Sequence, residues 1–359
     1  MSKVLMKGNE AFAEAAIRGG CNCYFGYPIT PQNEVPEYMS HELPKAGGKF
    51  VQAESELAAV NMAYGAAASG GRVFISTSSP GLALMQEGLG FICSCEVPLV
   101  AMNVSRGGPG VGGIQPGQAD YIQATRGGYN GDAKIPVFAP ATIQECVDLI
   151  YECFDIAEKY RNPVMILADA MLGQMMEPVE LPPKKGITPA DRIPLEKPWA
   201  ITGTSQHEGR NVIYSLRMQP DVLERHVEKL FEKYARAERE LVRYRTSGLD
   251  GAEVVFVTFG TMSRLCAEAI ELLAGRGVKA GMIRPISLWP FPEKAFDEIG
   301  SATKLVISAE LSMGQMIQDV KLAAAGRWPV RLIHRTGGIV PSSIEIADKA
   351  EALLKEVLA

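Results

Sequence analysis

The sequence predicts an α/β protein: one unit built on a mainly parallel sheet, a connector, and a second, smaller α/β unit. Three observations carry this. Short apolar runs alternate with helical patterns through the first half. A proline-rich stretch and a long amphipathic helix interrupt them near Pro182. The alternation then resumes at Ala252. With 359 residues, 47% of them hydrophobic, the chain is long for one core and has apolar surface enough for two.

In chain order, residues 73–77, 99–105 and 164–169 are apolar runs bounded by glycine, proline or charge, the pattern of strands buried on both faces. Residues 63–69 form a helix of small side chains that allows close packing. Thr142-Ile-Gln-Glu145 is a capping box, and Cys146, Val147, Ile150, Phe154 and Ala157 then mark one helical face. Such alternation implies a parallel sheet with helices on both sides. Leu181-Pro-Pro-Lys-Lys-Gly186 and residues 193–199 read as extended connector. Residues 221–244 read as a bracing helix with Leu223, Val227, Leu230, Phe231, Tyr234 and Leu241 on its apolar face. In the second unit, residues 254–258 and 279–283 are strands around a helix at 263–274. Residues 305–308 and 331–334 are further strands, and 350–358 is a closing helix. The expected divisions are 1–183, 184–250 and 251–359.

Bulk properties narrow the function. A net charge of −5 argues against nucleic acid as partner. No apolar run reaches the ~18 residues that span a bilayer. Residues 1–12 carry no signal-peptide pattern, so a cytoplasmic location with no membrane partner is expected. The cysteine count, seven, is odd; there are two C-x-C pairs and no C-x-x-C. Neither a disulfide framework nor a metal or iron–sulfur site on this chain is expected, and the thiols read as small buried hydrophobes. His41, His207, His226 and His334 fall at no metal spacing, and there is no G-x-S-x-G elbow.

Four clusters carry chemistry. In Gly26-Tyr-Pro-Ile-Thr-Pro31 two prolines hold the Thr30 hydroxyl in a rigid turn. In Gln52-Ala-Glu-Ser-Glu-Leu-Ala-Ala59 an acid, Glu56, opens the small-residue helix. It is either an exposed glutamate favoured by the helix dipole or a buried one that must be hydrogen-bonded or useful. Thr77-Ser-Ser-Pro-Gly81 follows a buried strand and precedes a helix containing Met85-Gln-Glu-Gly88; hydroxyls there serve as ligand contacts or as helix caps. The last cluster runs from Asn103 through Arg106 and a glycine-rich loop to Gln115-Pro-Gly-Gln-Ala-Asp120. Its G-x-G-x-x-G is followed by Ile114-Gln-Pro116 and not by a helix, so it reads as a ligand-enclosing loop and not as a nucleotide fingerprint. Arg106 is suited to pinning a carboxylate.

Taken together and in this order, the four clusters resemble the α subunits of the 2-oxoacid:ferredoxin oxidoreductases. Tyr160-Arg-Asn-Pro-Val-Met-Ile-Leu-Ala-Asp169 and Gly173-Gln-Met-Met-Glu177 continue the likeness. Val257-Thr-Phe-Gly-Thr-Met262 and Ile283-Arg-Pro-Ile-Ser-Leu-Trp-Pro-Phe291 look like a transketolase C-terminal domain. Lys7-Gly-Asn-Glu-Ala11 and Pro31-Gln-Asn-Glu-Val-Pro36 resemble the 3-methyl-2-oxobutanoate (2-oxoisovalerate) subgroup in particular.

The resemblance implies a thiamine pyrimidine-binding domain over 1–183, a connector over 184–250, and a transketolase C-terminal-like domain over 251–359. The implied reaction is oxidative decarboxylation of a 2-oxo acid to acyl-coenzyme A and carbon dioxide, with reduction of ferredoxin. It implies Glu56 as the carboxyl at the aminopyrimidine N1′ of thiamine diphosphate, with Thr30 and Arg106 on the substrate. Tyr27, Pro28, Ser78, Ser79 and Gln86 are the further implied cofactor contacts. The G-D-G segment that family β subunits use for diphosphate and Mg²⁺ does not occur here. A separate β subunit is therefore expected to hold that half of the cofactor, and γ and ferredoxin-like δ subunits to carry the Fe–S clusters. The alternatives are the same mechanism on 2-oxoglutarate or pyruvate, half of a non-oxidative thiamine enzyme, or a non-catalytic subunit.

Overall fold

The computed structural model describes residues 3–188, 193–203 and 210–359; His207 lies outside them. The first unit runs β1 (Val4–Lys7), α1 (Gly8–Arg18), β2 (Cys23–Gly26), α2 (Glu34–Lys45), β3 (Lys49–Gln52), α3 (Glu56–Ala68), β4 (Val73–Thr77), α4 (Pro80–Ser94) and β5 (Leu99–Ser105). It continues through α5 (Tyr121–Thr125), β6 (Val137–Phe138), α6 (Ile143–Tyr160), β7 (Pro163–Asp169), α7 (Ala170–Gln174) and β8 (Met176–Val179). Then come α8 (Ile193–Glu196), α9 (Pro220–Glu240) and the second unit. That unit comprises β9 (Tyr244–Ser247), β10 (Val254–Val257), α10 (Met262–Gly275), β11 (Ala280–Pro285), β12 (Ser287–Trp289), β13 (Leu305–Glu310), α11 (Ile317–Ala324), β14 (Val330–His334) and α12 (Ser343–Leu358).

β4, β5 and β7 are buried at every residue, which is why their sequences are unbroken apolar runs. They sit in a seven-stranded sheet ordered β12-β6-β7-β5-β4-β2-β3, parallel except for β12 at one edge. One face packs on α1, α2 and α6. The other packs on α3 and α4, and its apolar cluster runs into the second unit through Phe259, Ile283 and Met316. The second sheet, β14-β13-β10-β11-β9, is parallel except for β9 and buries its outer face under α10 and α12. The two units thus share a core and a strand: β12 belongs to the second in sequence and to the first in space.

The structure departs from the sequence reading in four places. Ile193–Glu196 is a helical turn, not extended chain. The long helix ends at Glu240, and Tyr244 opens β9. On that helix only Leu230, Tyr234 and Ala237 are buried, while Leu223 and Phe231 stay 43% and 40% exposed. The closing helix begins at Ser343, where Ser342 accepts from the Glu345 N–H at 3.1 Å.

Candidate active site

The sheet order places a topological switch between β2 and β4: the chain leaves β2 toward β3 and returns through α3 to the other side of β2. Ligands of open α/β sheets bind outside the strand C-termini at such a point. The register puts Gly26 beside Gln52 and Ser76, and Thr77 beside Asn103. All four sequence clusters therefore meet along one edge.

Glu56 is the first residue of α3, whose N-cap Ser55 accepts from Ala58 N at 3.1 Å. It is not an exposed helix-start glutamate, since only 5% of it is accessible. Its carboxylate has no hydrogen bond or ion pair among the described residues. It lies against Gly81, where an added Cβ would come within 2.4 Å of Glu56 Oε1 and 2.1 Å of Thr77 Oγ1. The buried hydroxyls of Thr77 and Ser78 also lack partners. Two buried hydroxyls left unmatched beside a free carboxylate are costly unless a ligand matches them.

The neighbouring polar groups are matched. Ser79 has φ +24°, uncommon for a side-chain-bearing residue. Asn103 Oδ1 accepts from its N–H at 2.8 Å, and its hydroxyl donates to Asp120 Oδ2 at 2.6 Å. Asn103 Nδ2 donates to the same oxygen at 2.8 Å, and Arg106 N–H donates to Ser79 Oγ at 3.0 Å. The Ser79 hydroxyl is thus committed to fixing Arg106.

The structure also brings Arg106 to Thr30. One η nitrogen donates to the Thr30 carbonyl at 2.6 Å, the other to the Val111 carbonyl at 2.9 Å, and the buried Nε is unpartnered. The fork expected to grip a carboxylate therefore clamps the turn and the glycine loop, leaving Nε free. Gln86 accepts from Gly128 N at 2.9 Å and keeps a buried, unpartnered amide nitrogen. Tyr27 and Pro28 are exposed at the surface.

Sequence reading assigns no role to Asn103 or Asp120, although both lie within the clusters that carry chemistry. It also misses the support behind the turn: Asn9 and Gln174 both donate to the Pro31 carbonyl at 2.8 Å. Beyond Thr30 opens a cavity of about 630 Å³, walled by Ile114, Pro116, Met171 and Val340 among others. No three His, Cys, Asp or Glu side chains are grouped to hold a metal among the described residues, and no described helix is long and apolar enough to cross a membrane. All seven cysteines are free. Burial pushes the thiols of Cys93 and Cys266 up to about 12.

Fold and site define an open α/β protein of the thiamine type, with an unmatched acid and hydroxyls at its switch point. Residues 14–246 match the family described as pyruvate flavodoxin/ferredoxin oxidoreductase, thiamine diphosphate-binding, and residues 252–346 match pyruvate:ferredoxin oxidoreductase core domain II. The ketoisovalerate oxidoreductase subunit VorB of Methanothermobacter thermautotrophicus is 43% identical, over 98% of this chain and 97% of that one. The 2-oxoglutarate synthase subunit KorA of Methanothermobacter marburgensis is 34% identical, over 96% and 97%. A solved 2-oxoglutarate:ferredoxin oxidoreductase from Magnetococcus marinus superposes with TM-score 0.86 at 28% identity; this chain covers 65% of that longer one. The chain belongs to the 2-oxoacid:ferredoxin oxidoreductase family, and is a subunit of an oxidoreductase that works with partner subunits. Family and matched domain support use of thiamine diphosphate. The residues fit its pyrimidine: a free carboxylate on a buried glutamate packs with the unpartnered Thr77 hydroxyl against Gly81, where no larger residue would fit, and the unpartnered Ser78 hydroxyl follows in sequence.

Proposed function

We propose that this chain is the pyrimidine-holding α subunit of an enzyme that oxidatively decarboxylates 3-methyl-2-oxobutanoate to the acyl-coenzyme A and carbon dioxide while reducing ferredoxin. The observation that carries this is the unpartnered buried carboxylate of Glu56 at the switch point. Bound thiamine diphosphate supplies the nucleophilic carbon and the electron sink. Glu56 then shares a proton with the pyrimidine ring nitrogen N1′. Thr77 and Ser78 offer hydroxyls beside it. Arg106, through Nε, and Thr30 hold the substrate's carboxylate and carbonyl. Ser79 acts through its hold on Arg106, and Gln86, Tyr27 and Pro28 complete the pyrimidine side.

The same reading takes residues 1–183 as the pyrimidine-binding domain, 184–250 as the connector and 251–359 as the transketolase C-terminal-like domain. It puts the diphosphate and Mg²⁺ on a partner β subunit. Two features support that division: the missing G-D-G segment, and the exposed apolar side chains on α3 and α4 near Glu56, where Leu57, Met62 and Leu84 are 45%, 40% and 52% exposed. Fe–S clusters belong to γ and ferredoxin-like δ partners, because burial, which disfavours thiolates, encloses six of the seven cysteines here. Free thiols throughout suit a reducing cytoplasm.

The test is anaerobic: viologen or ferredoxin reduction by the native complex with coenzyme A and, in parallel, 3-methyl-2-oxobutanoate, 2-oxoglutarate, pyruvate and indolepyruvate. A clear preference for the first is expected. A preference for 2-oxoglutarate overturns the substrate and keeps the mechanism; no reduction with any of them overturns the oxidative reading.

A further inference from the structure

We infer that Glu34, which lines the cavity beside Thr30 and is ion-paired with Lys7 behind it, makes the enzyme select 2-oxo acids with an alkyl side chain and turn away those with a second carboxylate. The inference rests on the function proposed above and assigns its specificity to named residues.

The two sequence segments that carry the subgroup resemblance lie apart in the chain and meet here. Lys7 ends β1, Asn9 lies in the first turn of α1, and Glu34 opens α2. Lys7 Nζ donates to Glu34 Oε1 at 2.5 Å, and Asn9 Nδ2 to Glu34 Oε2 at 2.6 Å. Gln174 reaches both oxygens at 3.2 Å. Asn9 and Gln174 also hold the Pro31 carbonyl, so the cluster is fastened to the turn that presents Thr30. Arg106 grips that turn from the other side. The cavity therefore begins where the substrate's reacting end is held.

Size cannot set the preference. Pockets of ~300–1,000 Å³ hold drug-sized ligands, and this one is about 630 Å³. 3-Methyl-2-oxobutanoate and 2-oxoglutarate have the same number of carbons and differ in the distal carboxylate. Charge must separate them. Among the described lining residues Glu34 is the only charged one, and Ile114, Pro116, Met171 and Val340 give an alkyl group apolar contact. Burial works against the charge of Glu34, but Lys7, its own N–H and Asn9 outweigh it and hold the carboxyl below its ordinary value. The cation that could receive a distal carboxylate is already taken, and its partner presents like charge to an incoming anion.

The experiment uses the assembled complex and reads kcat/KM for 3-methyl-2-oxobutanoate and for 2-oxoglutarate. Glu34→Gln keeps the side chain's shape and the bond from Asn9 and frees Lys7. The ratio of the two values should fall on the order of ten-fold, chiefly through a lower KM for 2-oxoglutarate. Lys7→Met leaves the carboxylate unneutralised and should move the ratio the other way. The double variant should return it toward wild type. Parallel loss on both substrates, or an unchanged ratio in both single variants, overturns the inference. Wild type that oxidises neither acid overturns the proposed function instead. If Glu34→Gln does not assemble, the sign of the Lys7→Met change decides.

Discussion

At the scale of single residues, the site contains two kinds of polar group. Ser79, Asn103 and Asp120 satisfy one another and hold a serine backbone at φ +24°; Glu56, Thr77, Ser78, Arg106 Nε and the Gln86 amide nitrogen are left open among the described residues. Only the open set can respond to a ligand. Replacing Glu56 by Gln preserves volume and removes the ability to share a proton. Exchange of the cofactor's C2 proton should fall by about 10²-fold or more, the usual worth of a positioned acid–base group, while thermal stability stays near wild type. Exchange at the wild-type rate would remove Glu56 from the mechanism. Glu56, Thr30 and Arg106 are legible in the sequence because each sits in a short segment whose prolines, glycines or small residues have few structural uses for such a side chain. Asp120 is not legible, because its role exists only when chain segments 41 residues apart in sequence meet. Nor is the engagement of both Arg106 η nitrogens with carbonyls of its own chain.

At the scale of elements, Glu56 is only as well placed as the crossing of α3 on α4. That crossing is tight: a Cβ at Gly88 would lie 2.5 Å from Val60 Cγ1, a branched side chain that cannot swing aside. Gly88→Ala should therefore destabilise the subunit by about 1–3 kcal/mol through overpacking and lower activity with it. Gly65→Ala on the same pair has open space around its new methyl group. It should stabilise by roughly 0.5–1 kcal/mol through helix propensity. Thermal unfolding of the purified subunit reads both, and equal effects would mean that packing at Gly88 is looser than the structure has it. Sequence patterns locate the fully buried strands because a short, continuous apolar run between glycine, proline or charge suits a strand covered on both faces. They miss β6, which is buried but only two residues long, and β1, β2, β3, β8, β9 and β12, which are short and not continuously buried. Periodicity draws an apolar face on α9 but does not say how much of it a neighbour covers; Leu223 and Phe231 are on that face and in solvent.

At the scale of the whole molecule, what matters is that the second unit is fastened to the first close to the site. Gln118, just beyond the glycine loop, exchanges backbone and side-chain hydrogen bonds with Leu311 and donates to the Phe259 carbonyl at 2.8 Å. Arg284 forks onto Glu145 with two bonds of 2.7 Å. Asp169 is the buried member of this set. One oxygen caps α7 by accepting from Met171 N and Leu172 N at 3.0 and 3.1 Å, and the other accepts from the Thr261 hydroxyl of the second unit. Burial raises its pKa to about 6, against the bonds from α7 and Thr261 that favour the anion. Asp has a pKa near ~3.9 in an unfolded chain, so between these values the folded protein binds the proton more readily than the unfolded one. Stability from this group is then fully present below about pH 4 and fades as pH rises to about 6, levelling above it. A shift of roughly two units corresponds to about 3 kcal/mol at most. Asp169→Asn keeps an oxygen for the α7 N–H groups and cannot titrate. The stability of wild type minus that of Asp169→Asn should therefore fall across pH 4–6 and stay flat from 6 to 8, as read by denaturant unfolding at each pH. A difference that rises with pH would mean that the bonds from α7 and Thr261 outweigh burial, so that the junction between the units favours the charged carboxylate.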